Sequence, residues 1–163
     1  MKCKIIPVTL ALCVALMVSS VGAQNTPPLR GAKAVQVDPT VVSDPAKVKD
    51  ESAPNLVLDS LKNALRSANF DLADTAPLRV HIILDEFTSG SMAKRFMVGM
   101  GAGRSSVTCR LVVQDAAGKE LANTRIHVRG NLVFSPYEGN NTQRRQAVSS
   151  FEQRLLEEIE KMK

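Results

Sequence analysis

The chain has 163 residues, which is the length of one domain. It contains 21 lysine and arginine residues and 16 aspartate and glutamate residues, which gives a formal net charge of +5. This mildly basic balance permits contact with an anionic surface without requiring it. Of the three cysteines, Cys3 and Cys13 lie among the first 23 residues. The rest of the chain holds only Cys109, which excludes an internal disulfide there.

The first 23 residues have the pattern of a secretory signal peptide. Lys2 and Lys4 precede an apolar run at residues 5–18, and Val21-Gly22-Ala23 is a small-x-small cleavage site. The apolar run is shorter than the roughly 20 residues that span a bilayer. A cleavable signal is therefore favoured over a retained membrane anchor. We expect an exported protein, periplasmic or at the cell surface after cleavage near Ala23.

The residues after the signal predict a tether followed by one domain. Residues 24–31, with Pro27-Pro28, are expected to form a flexible tether, and residues 32–163 a single domain. Alternation over residues 33–42 predicts a strand, which Ser43-Asp44-Pro45 ends. A helix follows, capped by Ser52 or Asn55 and ending near Asn69. Its apolar stripe is Val57, Leu61, Ala64, Leu65 and Ala68.

Three strands and a second helix complete the predicted order. Alternation begins again at Leu78 and runs to Asp85, and a further strand covers residues 107–113. Ala117-Gly118 is expected to make a tight turn into a return strand at residues 121–133. An amphipathic helix follows, marked by Val148, Phe151, Leu155 and Ile159.

These elements predict an α+β fold in the order β-α-β-β-β-α. Both predicted helices are apolar on one side, and each predicted strand has one apolar face. Packing both helices on the apolar face of one mostly antiparallel sheet buries each apolar surface once. The sequence therefore predicts a two-layer sandwich with both helices on the same face.

The glycine-rich stretch just before the predicted strand at residues 107–113 is the most distinctive segment of the sequence. It contains Gly99, Gly101, Gly103 and Arg104, and Phe96 and Met97 lie just upstream. A phosphate-binding loop needs a helix after its glycines, whereas here a strand follows. The spacing is also G-x-G-x-G, which disfavours nucleotide binding. Two interpretations stay open: a packed loop with a close backbone crossing, or a loop that contacts a partner or a membrane surface.

The outward face of the sheet is expected to be basic. A turn at Ala117-Gly118 places Arg110 directly opposite Arg125, and like charges in that position destabilise a sheet. We therefore consider a face that meets an anionic ligand, a lipid head group or an acidic partner. Its residues are Arg79, Arg110, Arg125, His127 and Arg129. The alternative is a solvated polar face on which Asp85 and Gln114 ease the repulsion.

Catalytic, metal and cofactor sites are not predicted. His81 and Asp85 share a face, but their positions on the strand lie roughly 13 Å apart, too far to share an ion. Two histidines, His81 and His127, would make only a weak site. Cys109 alternates with core residues and is expected to be an inert buried thiol. Nucleic acid is not expected either, because the basic face lacks the aromatic side chains on which bases stack.

The chain resembles a bacterial domain-of-unknown-function family, number four-four-one-zero. The residues that carry the resemblance are the helix at 56–70, Leu78-Arg79-Val80, Gly90, Arg95, the glycine run at 99–103, the strand at 107–115 and Gly118. The resemblance implies an exported envelope protein, often lipid-anchored, without an assigned activity. Leu12 precedes Cys13 where lipid attachment needs a small residue, so this chain departs from the anchored pattern. The order of elements is also loosely similar to small domains of outer-membrane assembly and secretion lipoproteins.

The expected function is therefore a non-catalytic binding or assembly role in the cell envelope. The expected partner is an envelope protein, and peripheral membrane contact is open. The alternative is a carrier for a small anionic ligand or lipid head group that uses the basic face. The sequence leaves the oligomeric state undetermined.

Overall fold

The computed structural model of the protein describes residues 27–88, 105–129 and 140–163, with side chains from residue 145 onward in the last range. None of the helices described is both long and apolar enough to cross a membrane. The predicted signal peptide at residues 1–23 and the glycine-rich stretch at residues 96–104 lie outside the described residues. These predictions therefore stay predictions.

Two helices form where the apolar periodicity places them. α1 (Ala53–Ser67) follows Ser52 at its N-cap position and tolerates Pro54 in its first turn, where no helical N–H partner is lost. Just beyond its end, Asn69 has a φ of 62°, a left-handed conformation that asparagine tolerates. This confirms the predicted end of the helix. α2 (Asn140–Lys161) is longer than its apolar stripe indicates.

Six strands form one mixed sheet in the described part of the chain. They are β1 (Ala34–Val37), β2 (Val42–Ser43), β3 (Asp71–Leu72), β4 (Leu78–Thr88), β5 (Ser106–Asp115) and β6 (Glu120–Arg129). The strand order is β3-β1-β4-β5-β6, and β2 also pairs with β4. The three long strands β4, β5 and β6 are antiparallel, whereas the short strands pair in parallel.

One strand predicted over residues 33–42 is in fact two short strands, β1 and β2. Pro39 has no N–H to donate to a sheet, and the side chain of Asp38 accepts a hydrogen bond from the backbone N–H of Thr40 at 2.9 Å. This local turn interrupts the strand. The sequence also gave no sign of β3, whose two residues pair with β1.

The β5–β6 hairpin has the predicted register. Gly118 has a φ of 79°, a conformation that glycine adopts without a side-chain clash. The side chain of Asp115 accepts hydrogen bonds from the backbone N–H groups of Ala117 and Lys119, both at 2.9 Å. Arg110 lies opposite Arg125, as expected. The described part of β6 reaches Arg129, and residues 130–133 of the predicted strand lie outside the described residues.

A β-bulge at Asp85 changes which residues of β4 face the core. Leu84 pairs with Cys109 and Glu86 pairs with Thr108, so Asp85 is the extra residue. Beyond the bulge the alternation is reversed, and Phe87 is buried. The prediction ended the alternation at Asp85 and missed this extension.

Both helices pack on the same face of the sheet, which confirms the two-layer α+β sandwich. The core contains Leu61 and Leu65 of α1, Phe151 and Leu155 of α2, and Ile82 of β4, each at most 1% exposed. The C-terminal end of the chain also reaches the segment after α1, where the Nζ of Lys163 lies 5.4 Å from the centre of the Phe70 ring. The two helices therefore form one layer over the sheet.

The predicted tether is wrong for its last residues. Leu29 is 1% exposed and belongs to the hydrophobic core. Its backbone N–H donates to the carbonyl oxygen of Met162 at 2.8 Å, and the N–H of Ala32 donates to the carbonyl of Leu29. A buried leucine and a hydrogen bond to the C-terminal end outweigh the turn-forming prolines before it. This segment is part of the domain.

Candidate functional site

The face of β4, β5 and β6 that points away from the helices carries all five basic residues of the predicted site. We call it the outer face. Within it, residues of the three strands lie in rows: Ile83, Arg110 and Arg125 form one row. The next row is Glu86, Thr108 and His127, and the row after that is Thr88, Ser106 and Arg129.

The basic residues do not form one cluster. Arg79 lies opposite Gln114, two rows away from Arg110 and Arg125. In contrast, Arg125, His127 and Arg129 are successive outward residues of β6, each roughly 6.8 Å from the next along the strand. All three are exposed. The structure therefore concentrates positive charge along β6, and we call these three residues the β6 strip.

Asp85 offsets the charge of Arg110. The Nη2 of Arg110 lies 3.1 Å from Asp85 Oδ1, and its Nε lies 3.3 Å from both carboxylate oxygens. Asp85 is the extra residue that the bulge adds to β4, and there it contacts Arg110. A half-exposed ion pair of this kind contributes roughly 0.2–1 kcal/mol. Asp85 thus eases the predicted repulsion, and Arg125 is left without a carboxylate partner among the described residues.

His127 is held between two neighbours. Its Nδ1 lies 2.8 Å from the Oγ1 of Thr108, which is buried, and its Nε2 accepts a hydrogen bond from the Nε of Arg129 at 3.1 Å. The guanidinium group can only donate. The geometry therefore assigns the ring proton to Nδ1, which donates to Thr108. The sequence identified His127 and Arg129 but gave no sign of Thr108.

The other histidine of the outer face does not join this group. His81 pairs with Val112 in the row beyond Ile83, and its Nδ1 is buried without a hydrogen-bond partner among the described residues. Val112 is 1% exposed although it lies on the outer face of the central strand.

No group of three or more metal-ligating side chains occurs within residues 27–88, 105–129 and 145–163.

Cys109 lies on the core face of β5 and is fully buried. Burial, together with the smaller effect of the negative charge of Asp85, raises the pKa of its thiol to about 12. A thiol in this state is a poor nucleophile, because the thiolate is the reactive form.

We expect a maleimide probe at pH 8 to label Cys109 at least about a thousandfold more slowly in the folded protein than in urea. The reason is that an unfolded cysteine has a pKa near 8.5, whereas the folded thiol has a pKa of about 12. Mass spectrometry over a time course measures both rates. Labelling at equal rates would show that β5 does not place Cys109 in the core.

Two cavities were not foreseen from the sequence. A groove of about 750 Å³ lies between the start of α1 and the N-terminal half of α2. Its lining residues are Ser52, Leu56, Arg145, Val148, Ser149, Glu152 and Gln153. A cleft of about 310 Å³ lies beside the outer face, lined by Val42 and Lys47 as well as Asp85 and Arg110. Neither has a sequence signal, because each forms between elements that are distant in the chain.

The predicted loop contact lies outside the described residues. Phe96, Met97, Gly99, Gly101, Gly103 and Arg104 belong to it. Residues 89–104 connect Thr88 to Ser105 and lie outside the described residues, and Thr88 and Ser106 share a row with Arg129. The two ends of this segment therefore flank one end of the β6 strip.

One family model matches the chain over residues 29–131, and its description is "Domain of unknown function (DUF4410)". None of the curated proteins matches. Solved structures of similar fold include a PelC dodecamer from Paraburkholderia phytofirmans, with 15% identity over 82% of this chain and 92% of that one and a TM-score of 0.53. A variant of that dodecamer has 12% identity over 80% and 86%, with a TM-score of 0.54. A crystal structure of an uncharacterised protein has 9% identity over 81% and 94%, with a TM-score of 0.53.

Proposed function

The chain belongs to the family described as a domain of unknown function (DUF4410), and we propose that it is an exported cell-envelope protein that acts by binding and assembly. Export is supported by the sequence of its first 23 residues. Lys2 and Lys4, the apolar run at residues 5–18 and Val21-Gly22-Ala23 follow the order of a signal peptide. The domain that begins near Leu29 then acts outside the cytoplasm.

The observation that carries the binding role is the charge of the outer face. The two helices that the structure describes cover the opposite face of the sheet. Arg110 is paired with Asp85, whereas Arg125 and Arg129 are exposed and have no carboxylate partner in the described part of the chain. Unpaired arginines on a rigid sheet suit an acidic surface of a partner protein, since arginine pairs readily with carboxylates.

The fold likeness to a dodecamer adds a second reason to consider assembly. PelC of Paraburkholderia phytofirmans forms a dodecamer with a similar fold. At 12–15% identity this likeness concerns the fold. We include a second copy of the chain among the partners that the experiment can detect.

The test is cross-linking in intact cells, followed by purification of the tagged protein and mass spectrometry. We expect an envelope protein or a second copy to be captured, with cross-linked peptides that map to β6. The double variant Arg125→Gln/Arg129→Gln should lower this capture about tenfold or more, because it removes both unpaired guanidinium groups.

The matched control is Lys49→Gln/Lys119→Gln, which removes the same charge from two exposed positions away from the outer face. This control should capture the partner as the unmodified protein does. Equal capture by both double variants would contradict a role for the β6 strip. Recovery of the protein alone would contradict the proposed assembly. An N-terminus that retains residues 1–23 would contradict the proposed export.

A second candidate function is that of a carrier for a small anionic ligand. It is favoured by the β6 strip itself, where Arg125 and Arg129 lie on either side of His127 and can converge on one anion. The side chains at both ends of this strip are exposed. Binding of a defined anion to the purified protein distinguishes this function from assembly alone.

A further inference from the structure

We propose that the β6 strip (Arg125, His127 and Arg129) is a pH-switched binding site for a phosphodiester group, which opens when His127 gains a proton. This inference rests on the proposed function, because it takes the outer face as the contact surface. The phosphodiester can belong to a lipid head group or to a free soluble molecule, and the two sources are separated by experiment below.

The first step is the protonation state that the geometry requires. The Nε2 of His127 accepts a hydrogen bond from Arg129 at 3.1 Å. Arginine has no acceptor, so Nε2 carries no proton in this arrangement. The Nδ1 then carries the ring proton and donates to Thr108 Oγ1 at 2.8 Å. The network is therefore made by a neutral ring.

The second step is what a proton on Nε2 does. It places an N–H opposite the N–H of Arg129 and adds a positive charge next to a guanidinium group, so this hydrogen bond cannot persist. The hydrogen bond from Nδ1 to Thr108 is unaffected, because Thr108 accepts it in both states. The ring stays in place while Arg129 is released from it.

The third step is the charge around the ring. On its own strand, His127 is flanked by Arg125 and Arg129. On β5 its neighbours are Thr108 and Arg110, and on β4 the same region holds Asp85 and Glu86. Asp85 is already paired with Arg110. Glu86 lies two strands away, roughly 10 Å from the β6 strip. Neither Asp85 nor Glu86 therefore pairs with the β6 strip, and the strip is available to an external anion.

The ligand class follows from these donors. The protonated strip offers two guanidinium groups and one imidazolium N–H at a spacing of roughly 6.8 Å along one strand. A phosphodiester presents several oxygen acceptors and a negative charge, and arginine forms paired hydrogen bonds with it. Histidine is the side chain that changes charge between pH 5 and 8. A proton on the Nε2 of His127 therefore completes the site.

The probes are chosen so that their own charge does not change with pH. One is a suspension of vesicles that contain phosphatidylglycerol, compared with pure phosphatidylcholine vesicles. The other is soluble glycerophosphoglycerol, which carries the same phosphodiester. We expect binding to the phosphodiester probe to be roughly 5–150-fold tighter at pH 5.5 than at pH 7.5, the usual range for a coupling between two binding events. Vesicle sedimentation and titration calorimetry measure the two cases.

Two variants make the test specific. His127→Gln keeps a neutral side chain that can accept from Arg129, so its binding should be weak and equal at both pH values. His81→Gln removes the other histidine of the outer face and should keep the pH dependence. Circular dichroism confirms that both variants are folded.

The outcomes separate the inference from the proposed function. If the protein binds the vesicles but not glycerophosphoglycerol, the phosphodiester belongs to a lipid surface. If it binds both probes, a free phosphodiester is sufficient for binding. Equal binding at the two pH values, retained pH dependence in His127→Gln, or no binding to either probe would overturn the inference. Cross-linking to an envelope protein in cells would leave the proposed function standing in each of those cases.

Discussion

Replacing Phe151 with alanine is expected to lower the free energy of unfolding by about 3–5 kcal/mol, the usual cost of removing a buried phenylalanine. Phe151 is 1% exposed and lies in the core between the helices and the sheet. Removing its ring leaves a cavity and takes away the largest fully buried side chain among the described residues. Because single domains are stable by only about 5–15 kcal/mol, this variant should unfold at a much lower urea concentration.

The matched control for Phe151→Ala lies two residues along the same helix. Gln153 is exposed, and Gln153→Ala should change the free energy of unfolding by less than about 0.5 kcal/mol. Urea unfolding followed by circular dichroism measures both variants. An effect of Phe151→Ala below about 1 kcal/mol would show that α2 does not pack on the sheet.

The prediction for Phe151 bears on how the family match is understood. The matching model covers residues 29–131, and α2 begins at Asn140. Yet Phe151, Leu155 and Ile159 belong to the same core cluster as the strands. Without α2, the part of the apolar face that this helix covers would be exposed to water, so α2 completes the domain even though the family match ends before it.

The hairpin and the two-layer arrangement could be predicted from the sequence because each has a local cause. The turn at Gly118 fixes the register, and the alternation from Val107 to Val113 fixes which side chains face the core. In α1 the spacing of Val57, Leu61 and Leu65 gives one buried side. These signals act over a few residues and need no knowledge of distant parts of the chain.

The short parallel strands could not be predicted in the same way. β2 and β3 have two residues each, and they exist because β4 and β1 offer hydrogen-bonding partners. Too short to show alternation, such strands depend on contacts between distant residues. The bulge at Asp85 likewise has no signal in the alternation itself, although it decides that Phe87 enters the core.

The residues that lie on the outer face could be predicted from the sequence, but the contacts that they make could not. Alternation places Arg110, Arg125 and His127 on one side of the sheet. The contact between Arg110 and Asp85 depends on the bulge, and the contact of His127 with Thr108 depends on side-chain conformations. The sequence thus predicts a basic face, whereas in the structure Arg110 is paired with Asp85 and the two arginines of the β6 strip have no carboxylate partner among the described residues.

Leu29 supplies the second large stability effect. It lies in a segment that its prolines and polar neighbours mark as a tether, but it is 1% exposed and its N–H donates to Met162 at 2.8 Å. Leu29→Ala leaves that backbone hydrogen bond in place and removes only the buried side chain. We expect the free energy of unfolding to fall by about 2–5 kcal/mol, measured by urea unfolding at constant m-value.

Arg30→Ala is the control for Leu29→Ala, because Arg30 lies in the same turn and is exposed. It should leave the free energy of unfolding within about 0.5 kcal/mol of the unmodified protein. If both variants were neutral, the segment would be a tether after all and the domain would begin later. If only Leu29→Ala is destabilising, the N-terminal turn is anchored to the end of α2 through Met162. The two ends of the domain then lie together, on the helical side of the sheet and away from the β6 strip.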